Sequence, residues 1–353
     1  MQERIHGMLL GMAVGNALGL PYENLPRSQA SRLGHPDRMR FWMGHGMVSD
    51  DTEHALITLE ALLKSGGDVQ LFQKLLAKGL VRWGRSFPLS AGKATLIAVS
   101  KLSVGVSPER SGVMSAGNGP LMRSLPLGLM LGDPEKLRQM VRVSTRITHL
   151  DLRAERGALV LALAARFILE HKRLKITPFL ENLLNWIPEE EDSELWDLLA
   201  LLEDSLEKQQ STLQFARELG LQDGVSGYVY HTLPVVLHAW FATPNRFEHA
   251  VKSVIELGGD TDTMAALVGG LVGIRVSVDG IPPEWTQQLW EPARGLDFME
   301  KAASSLARNR VQEYPRPSIL LSSTRQIVFN TGVLGHVVRR MWWQVASRPS
   351  SSA

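Results

Sequence analysis

Cysteine does not occur anywhere in the 353 residues. Disulfides, zinc–thiolate centres and cysteine nucleophiles are therefore excluded, and a reducing, cytoplasmic setting is the expectation. An excess of one charge is also missing: 38 Lys and Arg face 36 Asp and Glu, a formal net charge of +2. No stretch interleaves basic and aromatic residues as a nucleic-acid surface would, so nucleic acid is not expected as the main partner. A membrane-spanning run is missing too. Residues 5–20 are rich in Leu, Met, Ala and Gly, but His6 and Asn16 interrupt them, and Pro21-Tyr22-Glu23 follows in place of a small-residue cleavage site. The stretch is too short to cross a bilayer and reads as a buried, Gly-rich first helix. Alternating strand patterns bounded by tight hairpin turns are absent as well.

What the chain has is helical periodicity. Its length and 44% hydrophobic content are enough to bury a sizeable core. Apolar residues recur at helical spacing over 55–63, 71–80, 154–169, 195–206, 232–241 and 264–276. The expectation is an all-α globular domain with long functional loops over residues 1–302, and a separate C-terminal extension over 303–353. The acidic run Glu189, Glu190, Glu191, Asp192 reads as a solvated surface. From Ser304 onward there are seven Arg, one Glu and no Lys, with Pro315, Pro317 and Pro349 expected to interrupt regular helix. Residues 319–321 and 327–329 are β-prone, so short strands are expected there. Arg339, Arg340, Trp342 and Trp343 read as a helix face packing back on the domain, with membrane-surface or partner docking as the alternative.

Two short clusters carry the chemistry. Ser49-Asp50-Asp51-Thr52 directly precedes one helical run, and Gly258-Gly259-Asp260-Thr261-Asp262-Thr263 directly precedes another. One Asp at a helix start is an ordinary cap. Two adjacent carboxylates exceed what a cap needs, and the pattern occurs twice. Converging carboxylates would repel one another unless a divalent cation lay between them. Carboxylate and hydroxyl oxygens are hard ligands, suited to Mg²⁺, Mn²⁺ or Ca²⁺. A third cluster, Ser115-Ala116-Gly117-Asn118-Gly119, permits close approach of a phosphate or ribose, although on its own an ordinary turn is the better reading. Thr148-His149 is a fourth.

In this order the pieces resemble the ADP-ribosylglycohydrolase family. The opening GMLLGMAVGNALGLPYE, then SDDT, SAGNGPLMRSLPLG, Thr148-His149 and GGDTDTMAALVGGLVGI follow at family-like intervals, and Ile281-Pro282-Pro283-Glu284-Trp285 resembles the end of the family core. The resemblance implies an orthogonally packed multi-helix domain with a binuclear Mg²⁺ or Mn²⁺ centre. It assigns Ser49, Asp50 and Asp51 to one metal and Asp260 and Thr263 to the other, with Asp262 bridging. It further implies Glu23, Asp51 and Asp262 as the catalytic acids, and Gly117, Asn118, Gly119 and His149 along the ADP-ribose. One departure is Asn16, an amide where the family carries an acid, which removes a charge close to the site.

The implied activity is hydrolysis of the glycosidic bond between ADP-ribose and an acceptor, through an oxocarbenium-like state. The first-choice substrate is ADP-ribosyl-arginine on a modified protein, with smaller ADP-ribose conjugates also open. A binding module that has lost turnover and a different binuclear phosphate-ester hydrolase are the alternatives.

Overall fold

The computed structural model describes the backbone of residues 1–346 and side chains through residue 338. Among these residues the chain is helical throughout, as expected, with no β-strand beyond isolated bridges between loops. The helices are α1 (Gln2–Gly19), α2 (Arg27–Ala30), α3 (Asp50–Ser65), α4 (Val69–Gly84), α5 (Lys93–Ser103), α6 (Leu121–Met130), α7 (Pro134–Arg146), α8 (Leu152–Glu170) and α9 (Ile176–Leu184). Then come α10 (Ser193–Glu207), α11 (Thr212–Glu218), α12 (Val229–Ala242), α13 (Phe247–Ile255), α14 (Thr261–Val276), α15 (Pro283–Gln287), α16 (Leu296–Ala307) and α17 (Ile319–Ala346).

The centre of the fold is the pair α1 and α14. Both are apolar around their whole circumference, and nearly every residue of each is buried. Their backbones touch because small residues face each other. A Cβ added at Gly11 would lie 2.1 Å from the carbonyl oxygen of Gly269, and one at Gly15 would lie 2.0 Å from that of Ala265. No larger side chain fits at those positions without parting the helices. The remaining helices wrap this pair, with α3, α6, α8, α12, α13 and α16 in contact with one or both. The buried first helix read from the sequence is α1.

Two readings of the sequence need correction. Residues 319–321 and 327–329 are not strands; they lie in α17. Pro315 and Pro317 fall before that helix begins, so they bound it rather than interrupt it. Its β-branched residues are used on a helical face, where tertiary contacts override local propensity. The acidic run also divides. Glu189, Glu190 and Glu191 are exposed, but Asp192 is buried. It caps α10 through Leu195 N at 3.1 Å, pairs with Arg156 Nη1 at 2.9 Å and accepts the Tyr230 hydroxyl. The division at residue 302 falls within α16, and the side chains of Arg339, Arg340, Trp342 and Trp343 lie outside the described residues.

Candidate active site

Four loops meet at the start of α3 and α14 and are laced together by main-chain hydrogen bonds. Asn24 N donates to Gly259 O at 2.7 Å and Gly259 N returns a bond to Leu25 O at 2.8 Å. Asp260 N donates to Val225 O at 2.7 Å, and Asn118 N to Gly227 O at 2.9 Å. The crossing is tight at Gly259, which has φ +82°; a Cβ there would sit 2.0 Å from Val225 O. Only glycine satisfies both the left-handed backbone and the close approach.

Beside this lacing the two aspartate clusters meet through side chains. Ser49 occupies the N-cap position of α3, yet its hydroxyl does not cap the helix. It stands 2.9 Å from Asp262 Oδ2 and 3.1 Å from Asp51 Oδ2, so its single proton bridges the two carboxylates. Asp260 is the N-cap of α14 and likewise makes no cap bond. Its Oδ2 instead accepts the Asn118 amide at 2.6 Å, and that same amide donates to Thr232 Oγ1 at 2.9 Å. The Ser90 hydroxyl donates to Asp50 Oδ1 at 3.2 Å. Capping is therefore not what these residues do.

Asn16 organises the first cluster. Its amide nitrogen donates to Ser49 Oγ at 2.7 Å and Asp51 Oδ2 at 2.9 Å. Its oxygen accepts from Ser49 N at 2.7 Å and Thr52 Oγ1 at 3.2 Å. An ionised acid at position 16 would keep the acceptor contacts and lose both donors. The amide thus removes a charge and adds a clasp.

Burial makes the carboxylates reluctant to ionise. Asp50 is pushed up to about 7, first by burial and then by the charges of Asp260 and Glu53. Asp51 is raised well above the usual carboxylate range by burial and by Asp50 and Asp260. Asp262 is raised by burial and by Glu23, Asp51 and Asp260. Asp51 Oδ1 and Asp262 Oδ1 are buried without any hydrogen-bond partner. Two orphaned, buried carboxyl oxygens beside a shared hydroxyl are what a hard divalent cation would satisfy. No three acidic or histidine side chains among the described residues stand at mutual ligating distance.

The clusters open into a cleft of about 850 Å³. One side carries Ser115, Gly117, Asn118, Gly119 and His149, and another the loop of residues 223–227. His149 packs flat against the glycines: a Cβ on Gly117 would come within 3.1 Å of its Nε2, and one on Gly119 within 3.1 Å of Cε1. Its Nδ1 lies 2.8 Å from Thr148 Oγ1, which in turn accepts Arg123 Nη2 at 2.7 Å. Arg123 is fully buried, and burial together with its charge holds His149 down at about 3. The imidazole facing the cleft is neutral. Glu23 borders the cleft half-buried, its Oε1 accepting from Asn24 Nδ2 at 2.7 Å.

Of the site residues expected from the sequence, Glu23, Asp50, Gly117, Asn118, Gly119, His149, Asp260, Asp262 and Thr263 line the cleft, and Ser49 and Asp51 join them by hydrogen bonds. Others were not legible. Ser90, Thr232 and the 223–227 loop carry no motif. Glu53, one turn into α3, points away from the cleft and accepts Trp83 Nε1 at 2.9 Å and Arg294 Nη1 at 3.0 Å.

The sequence model of the ADP-ribosylglycohydrolase family matches residues 1–316, and the chain belongs to that family. The class of enzyme is therefore ADP-ribosyl glycohydrolase. More particularly, the chain is 27% identical over 296 residues to the ADP-ribosyl-[dinitrogen reductase] glycohydrolase of Rhodospirillum rubrum, covering 82% of this chain and 91% of that one. It is 27% identical over 301 residues to the ADP-ribosylarginine hydrolase Tri1 of Pseudomonas putida, covering 81% of this chain and 74% of that one. A solved structure, titled an ADP-ribosylglycohydrolase-related protein complex, superposes with a TM-score of 0.64 at 29% identity, covering 88% of this chain and 98% of that chain. Among the described residues no helix is long and apolar enough to cross a membrane.

Proposed function

We propose that this enzyme is a divalent-cation-dependent hydrolase that releases ADP-ribose from an arginine side chain of a modified protein, in the cytoplasm. The observation that carries the reading is the meeting of the two aspartate clusters through Ser49, which leaves Asp51 Oδ1 and Asp262 Oδ1 buried and unsatisfied. Ser49, Asp50 and Asp51 would hold one Mg²⁺ or Mn²⁺, Asp260 and Thr263 a second, with Asp262 between them. Such ions supply Lewis acidity and orient ribose hydroxyls. The arginine linkage is favoured by one of the relatives named above, an ADP-ribosylarginine hydrolase, and a protein substrate by the other, which acts on ADP-ribosyl-[dinitrogen reductase].

The chain's own groups divide the remaining work. Gly117 and Gly119 let the substrate approach the backbone, and the neutral His149 offers a ring nitrogen without adding charge. Asn118 is held by Thr232 and Asp260, so its position is coupled to the second cluster. Glu23, at the rim and in the field of Asp262, is placed to move a proton to or from the departing group. With the cations bound, Asp51 and Asp262 would keep negative charge beside the oxocarbenium-like carbon.

The test is to incubate metal-stripped protein with ADP-ribosyl-arginine, with and without Mn²⁺ or Mg²⁺, and follow released ADP-ribose by chromatography. Release only with the cation is the expected result. Release that is indifferent to the cation would contradict the reading.

A further inference from the structure

The family match ends at Arg316, and α17 begins at Ile319, so membership of the family assigns this helix no role. It is nonetheless built into the cleft. Arg325 is buried and grips Glu291, with Nη2 at 2.8 Å and Nε at 2.9 Å. The same guanidinium donates to Val48 O, and Glu291 Oε1 accepts Val48 N at 2.8 Å, so both backbone groups of the residue before Ser49 are held. Phe329 is 1% exposed, its ring 5.4 Å from Phe41, within a small apolar cluster that includes Leu20 and Met47. Asn330 Nδ2 donates to Phe87 O at 3.1 Å, and His336 Nε2 lies 3.1 Å from Phe41 O.

Asn330, Val333 and Val337 follow one another at i, i+3 and i+7, on one face of the helix. Asn330 on that face holds the loop that carries Leu89, Ser90 and Ala91. Val333 and Val337 continue the face into the cleft, where they line it together with Leu89 and Ala91. The result is an aliphatic side in a cleft whose remaining lining is mixed, with glycines, amides, His149, carboxylates and Lys93 interspersed with Leu25, Pro26, Met122 and Val225. It abuts the aspartates directly, because Ser90 within it donates to Asp50.

We propose that α17 is a specificity wall, whose Val333 and Val337 receive the aliphatic stem of the acceptor side chain that carries the ADP-ribose. The inference rests on the ADP-ribosyl hydrolase reading above. A diphosphate or ribose gains nothing from methyl groups and requires the polar sides. An arginine side chain bears three methylenes and gains from them. The wall's closeness to Asp50 places it at the end where the bond would break, where the acceptor lies. The competing occupant is the adenine ring, and the two make different predictions.

The experiment compares wild type with the double variant Val333→Ala/Val337→Ala, with Mn²⁺ present. It reads kcat/KM for ADP-ribosyl-arginine and the inhibition constant of free ADP-ribose, which has the adenine but no acceptor. Removing four methyls should lower kcat/KM about 5- to 20-fold, mostly through KM, and leave the inhibition constant within about twofold. Leu334→Ala, on the exposed outer face, should move neither. An inhibition constant that worsens in parallel would place adenine on the wall and overturn the proposal. So would unchanged constants in the double variant, or an equal loss in Leu334→Ala. Wild-type protein that hydrolyses no ADP-ribosyl conjugate would overturn the functional reading and this inference with it, whereas turnover with an unmoved ratio overturns the wall alone.

Discussion

Among the described residues, the helices that begin at an aspartate or serine, which sequence rules would read alike, fall into two groups. At α4, α7, α8 and α10 the N-cap residues Asp68, Asp133, Asp151 and Asp192 each accept a backbone N–H of the first turn, at 2.6, 3.0, 2.9 and 3.1 Å. At α3 and α14 the N-cap side chains of Ser49 and Asp260 make no such bond: Ser49 turns to Asp51 and Asp262, and Asp260 to Asn118. The first group uses its oxygens to complete helices. The second withholds them from the backbone and collects carboxyl oxygens in a buried place. A helix start whose cap is declined marks a site more reliably than the residue types do, because the unspent oxygens need another partner.

The largest expected break in this contrast is Asp262→Asn. It removes the carboxylate that faces Ser49 and should lower turnover more than about 1,000-fold and abolish stabilisation by Mn²⁺. Steady-state kinetics and thermal melts on the same sample check both, and retained turnover would show that Asp262 holds no essential cation. Asn16→Asp comes next. It exchanges two donated hydrogen bonds for a charge beside Asp51, and metal-free protein should lose about 1–3 kcal/mol in denaturant unfolding. Much of that loss should return with Mn²⁺. No change in the metal-free midpoint would mean that the amide's contacts do not hold the cluster together.

The pH dependence sharpens the same contrast. Asp50, Asp51 and Asp262 have folded-state values raised above those of the unfolded chain, so the folded state binds more protons. Their contribution to stability is fully present below the ordinary carboxylate value, near 3.8, and is lost as pH rises through about 7 for Asp50. Metal-stripped protein should therefore melt at lower temperature at pH 8 than at pH 6, and Mg²⁺ or Mn²⁺ should flatten the difference. A metal-free melting temperature that rises over that interval would contradict the assignment. The smallest effect belongs to the ordinary caps. Asp68→Ala should cost about 0.5–2 kcal/mol and leave Mn²⁺ affinity untouched.

The helical class, the buried first helix and the two aspartate clusters were legible because each is written in local spacing. The capping contrast was not, since whether Asp260 caps α14 or meets Asn118 depends on contacts between residues 142 apart. Asn16 was legible as a missing charge but not as a clasp, because its partners lie more than thirty positions away. The C-terminal helix was misread for a related reason. Ile319, Ile327 and Val328 carry strand propensity, but Phe329 buried against Phe41 is worth about 2 kcal/mol and Arg325 adds a buried ion pair with Glu291, and both need a helix to reach. Long-range partners also account for Ser90, Glu291 and Thr232, which belong to no recognisable pattern.

The most direct measurement is calorimetric titration of metal-stripped protein with Mn²⁺, run in parallel on wild type, Asp262→Asn and Asp68→Ala. The account predicts saturable binding by wild type and Asp68→Ala, and its loss in Asp262→Asn. Equal binding by all three would show that the two joined clusters are not the cation site.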